Sequence, residues 1–121
     1  MRSRQAPFEV RALPDPGLRQ LAHYYKLESM FKGRREREYF ELVSELVASF
    51  RKKEGYDPTP AQLQALTYPW LERSADFVDY LLSRGITDFN NDKEKVARLA
   101  EAAAAILVTR YLDGEAPASH S

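Results

Sequence analysis

The feature that most constrains this chain is a run of seven consecutive apolar residues, at positions 102–108, inside the last predicted helix. At 3.6 residues per turn, seven consecutive positions cover every face of an α-helix, so other protein must surround this segment. Either the helix is the core of a single chain, or it is buried against a second copy. For the second arrangement we expect Ala102, Ala105, Ile106 and Val108 to form the self-association contact.

Length and composition restrict the class of protein. A chain of 121 residues fits one domain that is large enough to bury a core without disulfides or metal. The absence of cysteine excludes thiol chemistry and is consistent with a reducing compartment. The charged start of the chain is not followed by an apolar signal segment, and the apolar run at 102–108 is far shorter than the roughly 20 residues of a membrane-spanning helix. We therefore predict a cytoplasmic protein without membrane contact.

Charge is distributed unevenly although the net charge is zero. Residues 1–53 contain 12 Lys/Arg and 7 Asp/Glu, a balance of +5, whereas residues 54–121 contain 6 and 11, a balance of −5. Such asymmetry is typical of a basic region that binds nucleic acid, or of a surface that meets an oppositely charged partner. If folding brings the two halves together, the charge asymmetry along the sequence produces no charged surface.

Proline, glycine and capping residues divide the first half of the chain. Residues 1–14 lack helical periodicity and are predicted to form an extended arm. Asp15 is placed to cap a helix with Pro16 at its first position, and that helix is predicted to run to Gly33. An amphipathic stripe predicts a second helix over residues 35–53.

The best-defined helix start in the chain is Thr59 as N-cap, Pro60 at the first helical position and Gln62 at the third, which is a capping box. Pro69 then interrupts the helical pattern. Either a short helix ends near Leu66 and a new one begins, or one helix kinks at the proline.

The second half is predicted to hold two more helical segments. The first follows the proline, ends at Gly85 and has a broad apolar face: Trp70, Leu71, Phe77, Val78, Leu81 and Leu82. Asn91 and Glu94 are a cap-like pair that opens a final helix over residues 92–112. The expected fold is all-α: a compact four- to five-helix bundle over residues 15–113, with an alanine-rich, largely buried C-terminal helix and a disordered tail at 114–121.

Acidic and aromatic residues supply the predicted partner surface. Glu72, Asp76 and Asp79 have i, i+4, i+7 spacing, which predicts a carboxylate ridge on one helix. Like charges at this spacing repel, so a basic partner would stabilise them. Tyr56 and Tyr68, at or near helix breaks, are further candidates for partner contact. No histidine accompanies the carboxylates, and no metal site is predicted.

Basic residues supply an alternative surface. They cluster at the two ends of the predicted second helix and are candidates for phosphate contact: Arg34, Arg35 and Arg37 at one end, and Arg51, Lys52 and Lys53 at the other. Acidic residues lie between the clusters, and cations at a helix C-terminus are also stabilised by the helix dipole. The pattern therefore fits either backbone contact with nucleic acid or solvated helix ends.

Two motif resemblances support no functional prediction. Residues 62–84 superficially resemble a helix-turn-helix, but Pro69 stands where glycine is usual and the second helix would present acidic residues to DNA. The sequence after Asp88 opens like a calcium loop but has Lys93 and Leu99 where glycine and glutamate are required.

Enzyme chemistry has little support, because His23 and His120 have no catalytic or zinc-binding pattern and the five glycines are scattered. We predict no cofactor. The leading hypothesis is a small, non-enzymatic helical adaptor or assembly subunit that binds a protein partner, basic at the contact, and self-associates as a homodimer. The alternative is an accessory subunit of a nucleoprotein complex that binds the nucleic-acid backbone.

Overall fold

The computed structural model describes residues 16–31 and 34–119, with side chains described at 16–31 and 35–113. In this part of the chain all regular structure is helical, which confirms the predicted all-α fold. The elements are α1 (Pro16–Tyr24), a 3₁₀ helix (Leu27–Phe31), α2 (Arg34–Glu54), α3 (Pro60–Glu72), α4 (Ala75–Ser83) and α5 (Lys93–Ser119). The predicted N-terminal arm and the Asp15 cap lie outside the described residues.

Helix α5 is the centre of the fold. Every side chain from position 102 to 108 is buried, with at most 2% of its surface exposed. Helix α5 packs mainly against α3 and α1, and also contacts the 3₁₀ helix and α2. The apolar run is therefore wrapped by protein as predicted, and all of the wrapping comes from the same chain.

The first helix is shorter than predicted. It ends at Tyr24 rather than at Gly33, and Lys26 has a φ of 53°, in the left-handed region that ends a helical path. The chain turns there and re-enters as the 3₁₀ helix, which buries Leu27 and Phe31 completely.

Helix α3 begins as predicted and ends at Glu72, which is beyond the end near Leu66 of the first alternative and short of the Gly85 end that a single kinked helix would reach. The Thr59 hydroxyl accepts a hydrogen bond from the Gln62 backbone N–H at 3.1 Å, and the Gln62 side chain accepts one from the Thr59 N–H at 2.9 Å. The helix continues through Pro69 to Glu72. The break comes instead at Ser74, whose hydroxyl caps α4.

Two consequences follow for the apolar face predicted after Pro69. Trp70 lies near the end of α3 with 51% of its surface exposed, and Leu82 on α4 is 45% exposed. These two members of the predicted apolar face therefore lie largely at the surface. Phe77 and Leu81 are fully buried as expected.

The remaining boundaries follow local signals. Gly85 has a φ of 94°, and the Ile86 N–H reaches back to the Leu81 carbonyl at 3.0 Å, which is the glycine-ended helix terminus that was predicted. In the turn before α5, Asn91 donates to the Asp88 carboxylate rather than pairing with Glu94. Helix α5 runs to Ser119, beyond the predicted end at residue 112 and into the segment 114–121 that was predicted to be a disordered tail.

Candidate functional site

A groove lies between α3 and α5 and encloses about 560 Å³. Each helix contributes one face, with residues at i, i+3, i+4 and i+7 spacing. The lining residues are Ala61, Gln64, Ala65 and Tyr68 from α3, and Glu94, Ala97, Arg98 and Glu101 from α5. We call this surface the α3–α5 groove.

The shape of the groove comes from its small residues. Ala61 and Ala65 on α3 and Ala97 on α5 carry only methyl groups, so they leave open space between the two helix backbones. Both helices begin at this end of the bundle, α3 at the Thr59 cap and α5 at Lys93.

The charge of the groove comes from carboxylates on its rims. Glu94 and Glu101 are exposed on α5, and Glu72 is exposed at the end of α3. Glu94 also lies in the first turn of its helix, where the helix dipole stabilises a negative charge. Arg98 lies between the two α5 carboxylates, so the charged lining residues are two carboxylates and one guanidinium.

Tyr68 lies close to negative charge at one end of the groove, and this charge affects its pKa. Its hydroxyl donates a hydrogen bond to Glu72 at 3.2 Å. Burial raises the pKa of Tyr68, and the charges of Glu72 and Glu101 raise this pKa further. The phenol therefore stays neutral and offers the groove a flat ring edged by two carboxylates.

A second, smaller cavity of about 350 Å³ lies among α2, α4 and the 3₁₀ helix. Within it Arg35 forms an ion pair with Asp76, and the Tyr39 hydroxyl donates to the same carboxylate at 3.4 Å. Burial, followed by the charge of Asp76, raises the pKa of Tyr39 to about 12. Arg35 and Tyr39 of α2 thus both bind Asp76 and tie α2 to α4.

The predicted carboxylate ridge does not exist as a single helical surface. Glu72 belongs to α3, whereas Asp76 and Asp79 belong to α4, because the Ser74 cap starts a new helix between them. Asp76 binds Arg35, and Asp79 is exposed beside the smaller cavity. Only Glu72 lies next to the α3–α5 groove, through its hydrogen bond with Tyr68.

The predicted basic clusters are partly neutralised within the chain. Arg35 binds Asp76, and Arg51 binds Asp57 at 2.6 Å. Three other members of the clusters are exposed on α2: Arg37, Lys52 and Lys53. The side chain of Arg34 lies outside the described residues.

The four residues predicted for self-association offer no surface to a second copy. Ala102, Ala105, Ile106 and Val108 are at most 2% exposed within the single chain. Helices from the same chain cover α5, which is the arrangement that the alternative of a core helix predicts.

No protein-family model, curated protein or solved structure matches this chain. Each helix in the described part is too short or too polar to cross a membrane. Within that same part, no three carboxylate or imidazole groups lie close enough together to hold a metal ion.

Of the two aromatic candidates, the structure brings one to the groove. Tyr68 lines it, whereas Tyr56 is 53% exposed and packs edge-on against Phe50, with ring centroids 5.4 Å apart. Sequence reasoning missed the rest of the lining and treated Glu94 only as a capping residue. The available signal was the recurrence of alanine and polar residues at helical spacing on the outer faces of both helices.

Proposed function

We propose that this chain is a small, non-enzymatic adaptor that binds a basic segment of another protein in the α3–α5 groove. One observation carries the proposal: the groove is lined by three alanines together with the carboxylates of Glu94 and Glu101. The small alanine side chains leave space for a partner's main chain, and the carboxylates favour cationic side chains. The groove lining contributes shape and charge, which are what a recognition surface needs.

The charge arrangement supports a partner with several cations. Glu94 and Glu101 line the groove two helical turns apart, about 10.5 Å along α5, so a single small cation could not bind both. An exposed ion pair contributes only about 0.2–1 kcal/mol, so useful affinity requires several such contacts together with burial of apolar surface. A polypeptide segment meets both requirements.

The alternative function, binding to the nucleic-acid backbone, has less support. Two of its candidate cations, Arg35 and Arg51, already bind carboxylates of the same chain. Arg37, Lys52 and Lys53 remain exposed on α2, separated by the exposed acidic residues of that helix. We therefore treat nucleic-acid binding as an outcome that the experiments must distinguish.

Selection from a random peptide library displayed on phage would test the proposal with the purified protein. We expect the selected peptides to be enriched in Lys and Arg, and to bind the double variant Glu94→Gln/Glu101→Gln more weakly. The matched control is Glu38→Gln/Glu45→Gln, which removes two exposed carboxylates with the same spacing from α2 and should bind like the parent protein.

Two results would refute the proposal. The first is selection of peptides without excess positive charge. The second is equal binding by the groove variant and the α2 control. Fluorescence anisotropy with labelled duplex DNA and single-stranded RNA, at about 50 mM and about 200 mM salt, would test the alternative, because backbone binding falls steeply over this range.

A further inference from the structure

We draw no further inference here: the strongest candidate, the cavity of about 350 Å³ among α2, α4 and the 3₁₀ helix, carries no ligand assignment, because its Asp76 carboxylate already binds Arg35 and Tyr39 and nothing in the structure shows what would cover the exposed carboxylate of Asp79 beside it.

Discussion

Replacing Ile106 with alanine tests whether α5 is the core of a single chain. Ile106 is 1% exposed and lies in the middle of the apolar run. The substitution removes three carbon groups, and at about 0.8 kcal/mol per buried group the lost transfer free energy is about 2.4 kcal/mol. The cavity left behind adds to this, so we expect the free energy of unfolding to fall by about 3 kcal/mol.

Thermal and urea denaturation followed by circular dichroism would measure this loss. With an unfolding entropy of about 2.1 cal/mol/K per residue, a chain of 121 residues loses about 4 °C in Tm for each kcal/mol. Ile106→Ala should therefore unfold about 12 °C below the parent protein. Because all of the contacts are within one chain, the Tm of both proteins should be independent of protein concentration.

Leu112→Ala is the control on the same helix. Leu112 is 39% exposed, so its truncation should cost no more than about 1 kcal/mol. Two results would refute the reasoning: a loss for Ile106→Ala as small as that for Leu112→Ala, or a parent Tm that rises over a hundredfold increase in protein concentration. The second result would mean that α5 is buried between subunits.

Three further perturbations have definite expected outcomes. Thr59→Ala removes the N-cap of α3 and should lower the free energy of unfolding by about 1 kcal/mol in urea titrations; no change would mean that the capping box is not formed. Tyr80→Phe removes a hydroxyl that lies 2.8 Å from the Tyr25 carbonyl and 2.5 Å from the Lys26 carbonyl, and should cost about 1 kcal/mol in the same assay; a cost as small as that of an exposed surface substitution would argue against this tether. Tyr39 should ionise near pH 12 in the folded protein. Because its pKa is raised from 10, its contribution to stability is complete below pH 10 and is lost as pH rises towards 12. In an ultraviolet titration the Tyr39→Phe variant should therefore show one late-ionising tyrosine fewer than the parent protein, and identical titrations of the two proteins would contradict this.

The parts of the fold that sequence predicted correctly depend on neighbouring residues. The Thr59–Gln62 capping box and the glycine terminus at Gly85 are made by hydrogen bonds that span a few positions. The burial of residues 102–108 also follows from sequence, because a helix with no polar face must be covered. These features do not require knowledge of how the helices are arranged in space.

Local signals were insufficient where burial competed with helix continuity. The helix predicted to reach Gly33 stops at Tyr24, because a turn at Lys26 allows Leu27 and Phe31 to enter the core. Pro69 looked like the stronger break, yet Ser74 provides it. That displacement placed Glu72 and Asp76 on separate helices and removed the predicted ridge.

Sequence by itself determined that this chain is helical and that its last helix is surrounded by protein, because both properties follow from the period and polarity of consecutive residues. Only the tertiary structure decided that the surrounding protein is the chain itself. It also decided that Arg35 meets Asp76 and that Tyr68 shares a groove with Glu94 and Glu101. These contacts join residues 26 to 41 positions apart, and they depend on how the helices cross, which no local pattern encodes.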